Sequence, residues 1–318
     1  MAVVIFAGSL LLTLGMRTFA RRKGLLAHPN ERSSHVSATP HGGGLAVMIA
    51  FLSAMIYLLA RGEIEQDLFW ALFCVVPIVI AGQIDDIFPV PARYRMLVQA
   101  VCAIGGLYML GGIDALVVGN MTLNGWWLNA AALFYVIWMT NLYNFIDGID
   151  GYAASEAVYV GVASFLLFGN MPGIFIAAAA AGFLIFNWHK ASIFMGDVGS
   201  APLGFIFAIL SLSDAERGEF AGWMVLLSLF WLDATLTLWR RFRRGERLSS
   251  AHKKHAYQRL VQSGWAHDRV VCYAMGVNLF LFLLLWFTPE SAYGAVLIVD
   301  IIVLYALVRY VDRKKAFS

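Results

Sequence analysis

Residues 126–151 read WWLNAAALFYVIWMTNLYNFIDGIDG. The stretch 126–141 carries no charge and reads as most of a membrane-crossing helix, for which roughly 20 apolar residues are needed. It runs into two aspartates, Asp147 and Asp150. A helix C-terminus already carries partial negative charge, so acids there are misplaced unless a cation holds them. Asn141, Asn144, Asp147 and Asp150 are spaced by threes, which predicts a single polar stripe along a helix or its tight extension. Gly148 and Gly151 permit a turn or a close approach to a ligand.

Acids at the end of an apolar run recur at Gly82-Gln83-Ile84-Asp85-Asp86 and at Phe194-Met195-Gly196-Asp197. Of the 318 residues, 60% are hydrophobic and 14% charged. A soluble domain carries about 25% charged residues. The composition therefore excludes a soluble globular fold. It predicts an all-α, polytopic integral membrane protein of about eleven transmembrane helices, at 1–20, 44–61, 67–82, 96–112, 126–141, 152–169, 172–188, 199–213, 219–239, 271–288 and 291–310. The eighth is short and contains Pro202 and Gly204. No linker or repeat divides the chain. Residues 1–318 read as one transmembrane domain whose longer loops, 21–43, 83–95, 142–151, 189–198 and 240–270, hold the unusual chemistry.

With the N-terminus outside and the C-terminus in the cytoplasm, 21 of the 23 Lys and Arg residues fall on the cytoplasmic side, leaving only Arg61 and Arg217 outside. The chemistry-bearing loops then share the cytoplasmic face. The positive charges follow the first apolar run instead of preceding it, so that run reads as a retained anchor rather than a signal peptide. No nucleic-acid motif is present. Cys74, Cys102 and Cys272 lie in apolar spans without metal-ligand spacing.

Asp85 and Asp86 read as a helix cap or as metal and phosphate chemistry, the second favoured by the cost of acids at a membrane edge. Arg93 and Arg95 read as inside anchors or as clamps on phosphate oxygens. Asn187 and Asp197 bracket a loop that holds Lys190, and Asp197 is either the N-cap of the next helix or a metal ligand. His252, Lys253, Lys254, His255 and Arg259 place five potential cations within eight residues, a group suited to gripping a diphosphate. Asp233 reads as paired with a cation or polar groups, and Asp300 as shielded by a neighbouring helix. An ion-coupled secondary transporter is the rival class. Transporters, however, gather their acids near the bilayer midplane in repeated halves.

Together these motifs resemble the bacterial polyprenyl-phosphate N-acetylhexosamine-1-phosphate transferases, a group that includes the phospho-N-acetylmuramoyl-pentapeptide transferase. The resemblance runs from Asn30-Glu31-Arg32-Ser33-Ser34-His35 through Arg259. It rests most on NFIDGIDG at 144–151 with FMGDVGS at 194–200. It implies a phosphoglycosyltransferase of the bacterial inner membrane that moves N-acetylhexosamine-1-phosphate from a UDP-N-acetylsugar to polyprenyl (undecaprenyl) phosphate, releasing UMP. It implies Mg²⁺ as cofactor, with Mn²⁺ as an alternative. Asp197, Asp85 and Asp86 would hold the ion, and Asp147 would join the catalytic acids. Asn141, Asn144, Asp150, Asn187 and Lys190 would shape the nucleotide and sugar pocket. His252, His255, Arg259, Lys254, Arg93 and Arg95 would bind phosphate. The resemblance leaves a homodimer open. Lys254 stands where many relatives carry a third histidine, and the first loop lacks the lysine of the muramoyl branch. This favours initiation of O-antigen or another surface polysaccharide, with N-acetylglucosamine, N-acetylfucosamine or N-acetylquinovosamine as the sugar.

Overall fold

The computed structural model describes residues 1–24, 26–27, 39–119, 121–248, 250 and 252–317. The motif at 30–35 and Arg32 lie outside the described residues, as does Ala251. The chain forms α1 (Ala2–Lys23), β1 (Leu26–Ala27), β2 (Thr39–Pro40), α2 (Gly44–Arg61), α3 (Gln66–Phe73), α4 (Val76–Ile87) and α5 (Ala92–Met109). The strands β3 (Ala115–Val118) and β4 (Met121–Asn124) precede α6 (Trp127–Ile146), α7 (Tyr152–Phe168), α8 (Met171–Asn187) and α9 (Asp197–Ser213). Then come α10 (Phe220–Leu226), α11 (Ser228–Arg243), α12 (Ala256–Gln262), α13 (His267–Trp286) and α14 (Tyr293–Lys314). It is an all-α, multi-pass membrane protein. Among the described residues five helices are long and apolar enough to cross a membrane, or six if α10 and α11, bent by 75°, form one span. The shorter α7, α8 and α9 are also apolar.

Each stretch expected to cross the membrane falls on a helix or on a broken pair, with instructive shifts. The stretch expected at 67–82 breaks between Phe73 and Val76 and then continues to Ile87. Pro77 explains the break: it lacks the N–H for the bond back to Phe73 and is tolerated only in a helix's first turn. Asp85 and Asp86 therefore occupy the last helical turn, not a loop. The helix expected from 96 begins at Ala92, placing Arg93 and Arg95 in its first turn. The stretch expected at 219–239 bends at Leu227, where the Trp231 indole donates to the Met224 carbonyl at 2.7 Å. The segment expected as a loop at 113–125 contains the antiparallel hairpin β3–β4.

The short helix α9 is the centre of the molecule. Every residue from Val198 to Leu212 is buried, against α2, α4 and α6. A helix enclosed by protein need not reach the lipid headgroups, which accounts for its length. Its approach to α4 depends on Gly82, where an added methyl would stand 2.6 Å from the Asp197 carbonyl oxygen. The ends of α4 and α9 thus meet main chain to main chain, and both carry acids.

Candidate active site

The acidic cluster is built from the ends of α4 and α6 and the starts of α5 and α9. Asp86, on the last turn of α4, accepts the N–H of Asp197 at 2.9 Å and that of Val198 at 3.3 Å. A carboxylate from one helix thereby caps the N-terminus of another, where anions are favoured. Gly196 precedes that cap at φ 77°, and a side chain there would strike the Asp86 carboxylate. Asp197 is therefore not the cap of its own helix, and its carboxylate is spent elsewhere. Its Oδ1 accepts from Asn144 Nδ2 at 3.0 Å, and its Oδ2 is ion-paired with Arg95. The same Arg95 Nη1 meets Asp85 Oδ2 at 2.6 Å, while Asp85 Oδ1 accepts from the Val90 N–H at 2.6 Å.

Around this core, Asn144 also reaches Ser200 Oγ at 2.9 Å, and Asn141 donates to Gln99 Oε1 at 2.7 Å. A small cavity of about 40 Å³ is bordered by Arg95, Gln99, Asn141, Asn144 and Asp197. Asp147 closes the end of α6. Burial, then the charges on Asp197, Asp86 and Asp150, push its carboxyl up to about 8. The raised Asp147 carboxyl registers the crowding of acids: Asp85 and Asp197 share the Arg95 guanidinium, with Asp86 and Asp147 close by. Hard oxygen donors in this number suit Mg²⁺ or Mn²⁺ better than a softer metal. Arg95, bridging two of the acids, takes the part of a cation between them.

The basic loop is built differently, because its charges have local partners. Asp233 of α11 accepts the Ala256 N–H at 2.8 and 2.9 Å and the Tyr257 N–H at 3.4 Å, capping α12. His255 Nδ1 lies 3.8 Å from Asp233 Oδ1, and the His252 and His255 rings are tilted by 42° with centroids 4.8 Å apart. His252 Nδ1 accepts from the Lys254 N–H at 3.2 Å. Burial, then the neighbouring His255 and Arg241, push the His252 imidazole down to about 3, so it is neutral. Lys254 Nζ pairs with Glu246 at 2.7 Å. Arg259 donates to Asp312 Oδ1 at 2.6 Å and to the Lys315 carbonyl at 3.0 Å, beside Arg240 on the same aspartate. The loop reaches the acidic end through the Tyr257 hydroxyl, which donates to the Phe145 carbonyl at 3.2 Å.

The sequence model of glycosyl transferase family 4 matches residues 68–214, the segment that contains all four clustered acids. A decaprenyl-phosphate N-acetylglucosaminephosphotransferase of Mycolicibacterium smegmatis is 31% identical over 306 residues, covering 80% of this chain and 73% of its own. The chain belongs to this family. A probable undecaprenyl-phosphate N-acetylglucosaminyl 1-phosphate transferase of Bacillus subtilis is 28% identical over 296 residues, covering 86% of this chain and 82% of its own. An undecaprenyl-phosphate alpha-N-acetylglucosaminyl 1-phosphate transferase of Yersinia pestis is 28% identical over 286 residues, or 83% and 76%. Family membership makes the protein a phosphoglycosyltransferase enzyme.

Of the residues singled out in the sequence, the structure brings Asp85, Asp86, Arg95, Asn141, Asn144, Asp147 and Asp197 together. Several others stand outside this cluster. Asp150 leaves the stripe begun by Asn141, because α6 ends at Ile146 and the glycine turn breaks the three-residue spacing. Its carboxylate faces His189 Nδ1 at 2.8 Å and His267 Nδ1 at 3.3 Å. The Asn187 side chain accepts the Gly151 N–H at 3.1 Å and donates to the Ile193 carbonyl at 3.0 Å, which pins two loops. Arg93 is exposed against Tyr94, and Lys190 is exposed. His252, His255, Lys254 and Arg259 sit in the internally paired loop. Asp233 has its polar partners in α12, while Arg240 pairs with Asp312. Asp300 is fully buried, shielded from lipid. Gln99, Ser200, His189 and His267 were not singled out. A lone Gln or Ser in an apolar helix carries no periodic signal, and the two histidines are 78 positions apart.

Proposed function

We propose that the protein transfers N-acetylhexosamine-1-phosphate from a UDP-N-acetylsugar to a polyprenyl phosphate in the bacterial inner membrane, releasing UMP. The observation that carries this is the set of four carboxylates on adjoining helix ends, with the Arg95 guanidinium bridging two of them. The relatives, named for N-acetylglucosamine-1-phosphate transfer on undecaprenyl or decaprenyl phosphate, support it. Two anionic phosphates must meet, and their repulsion has to be screened where they react. Asp197, Asp85 and Asp86 would hold Mg²⁺, whose bound charge would polarise the reacting phosphate and ease departure of UMP.

The chain's own residues prepare the ground. Asp86 fixes the Asp197 backbone, and Asn144 fixes the Asp197 carboxylate. Arg95 offers a guanidinium to phosphate oxygens once it is released from the acids. The acceptor lipid has an apolar route: a cavity of about 170 Å³ bounded by residues of α11 to α14 reaches Tyr257 and Asp233. Asn141 and Gln99 hold the polar wall of the small cavity in place. Eleven spans, a cytoplasmic active face and a single transmembrane domain complete the reading, together with N-acetylglucosamine or a 6-deoxy relative as the sugar and surface polysaccharide initiation as the role.

The test is UMP release by purified protein given undecaprenyl phosphate and each of several UDP-N-acetylsugars, with Mg²⁺ and with excess chelator. One donor should give UMP that depends on both Mg²⁺ and lipid phosphate. Release that persists in chelator, or that ignores the lipid, would overturn the reading.

A further inference from the structure

Within the membrane-crossing part of the bundle, a second set of polar groups gathers from four helices. Glu156 and Tyr159 lie on α7, Ser228 opens α11, Asn278 lies on α13 and Asp300 on α14. Glu156, Ser228, Asn278 and Asp300 are all 0% exposed. The Asn278 amide donates to Glu156 Oε2 at 2.6 Å, which joins α13 to α7. Ser228 stands beside Asp300, and Tyr159 is within electrostatic reach of both Glu156 and Asp300. Acids inside apolar spans are expensive and mark a task.

Glu156 Oε1, Asn278 Oδ1, both Asp300 carboxyl oxygens, the Tyr159 hydroxyl and Ser228 Oγ find no hydrogen-bond partner among the described residues. With the acids ionised, four of these six atoms can only accept, and the two hydroxyls have one hydrogen each to offer. Acceptors thus outnumber donors. A buried acceptor left unmet is costly, most of all in a bundle surrounded by lipid. One cation meets several acceptors at once. The backbone beside them is also interrupted: α10 and α11 bend by 75° at Leu227, directly before Ser228. Interrupted helices inside the bilayer are where carbonyl ends and side-chain oxygens hold ions. The cavity bounded by α11 to α14 comes within one helical turn of Glu156, Asn278 and Asp300, through Tyr152, Val277 and Leu304. It gives an ion a way in from the end that carries Asp233.

We propose that Glu156, Asn278 and Asp300, with the Tyr159 and Ser228 hydroxyls, form an intramembrane binding site for one monovalent cation, Na⁺, outside the acidic cluster. Every ligand is a hard oxygen, which suits such an ion better than a transition metal. The cost of taking an ion out of water rises steeply with its charge, which favours a single charge this deep in the bundle. The ion would tie α7, α11, α13 and α14 to one another.

The test uses the full-length protein in detergent at fixed Mg²⁺ and fixed ionic strength, with choline chloride exchanged stepwise for NaCl. The melting temperature should rise saturably with Na⁺, and sodium NMR relaxation should show a slowly tumbling bound fraction. Asp300→Asn and Glu156→Gln should each lose the Na⁺-dependent rise. Ser228→Ala, a milder change, should weaken Na⁺ several-fold, so that the rise needs a higher concentration. Should the acid variants fail to fold, Ser228→Ala and the sodium signal of the unaltered protein decide alone. A melting temperature indifferent to the exchange, or an unchanged Na⁺ dependence in the variants, would overturn the site and leave protonated carboxyls closing the bundle. Displacement of Na⁺ by Ca²⁺ at lower concentration would overturn the choice of a singly charged ion. Melting and sodium relaxation are read without turnover, so they stand whether or not UMP release is observed.

Discussion

Two charged regions lie at the same end of the helices, and they are compensated in opposite ways. In the acidic cluster, Arg95 lies between Asp85 and Asp197, with Asp86 and Asp147 beside them. In the basic loop, Lys254 has Glu246, Arg259 has Asp312, and Asp233 caps α12. One region crowds acids against one another, while the other is tied up internally. The difference teaches that a run of charge in a sequence marks a reactive site only where the fold leaves it uncompensated. Charge paired within the fold serves to hold segments together.

The comparison breaks most sharply at Asp197. Asp197→Asn should lower UMP release by about a thousandfold or more, the scale of losing a central electrostatic group, with the protein still folded by circular dichroism. Full activity in that variant would remove the acidic cluster from the chemistry. Gly82→Ala comes next. The new methyl has no room beside the Asp197 backbone. Overpacking should cost about 1–3 kcal/mol in chemical unfolding and reduce turnover by separating the acids.

Asp312→Asn sharpens the other side. It removes the shared partner of Arg240 and Arg259, so the melting temperature should fall while the KM for the UDP-sugar stays unchanged. A KM that changes several-fold would return Arg259 to the binding site. Asp233→Ala should cost about 1 kcal/mol, the usual worth of a helix cap, measured by denaturant unfolding.

The smallest effect concerns pH. His252 is held neutral when folded, with its protonation pushed down to about 3 from 6.5. Below about 6.5 the unfolded chain takes a proton that the folded chain refuses, so stability falls as pH drops from there towards 3. His252→Gln should flatten that slope in a pH series of melting temperatures, and an unchanged slope would show the imidazole to be solvated.

Much of this was legible beforehand. The apolar runs marked the helices, because a span needs length and oil and little else. The acids at 85–86, 147 and 197 stood out, because charge at a membrane edge demands a reason, and the fold brings them together. What could not be read was partnership. Asp312 lies 53 positions from Arg259, and Asp86 caps a helix that begins 111 positions later. Such pairings follow from how helices pack, and no spacing along the chain announces them. Asp150 leaves the helical stripe for a related reason: a three-residue period holds only while the helix continues, and α6 ends at Ile146.

The contact at Gly82 has a consequence for tolerance. Where α4 meets α9 the separation of the acid-bearing ends is set by touching main-chain atoms, which have no alternative rotamers to adopt. Warming, detergent exchange or repacking of distant side chains should therefore leave the spacing of Asp86 and Asp197 nearly constant. The molecule can soften elsewhere while this one dimension stays fixed, as in a gauge block clamped inside a flexible frame.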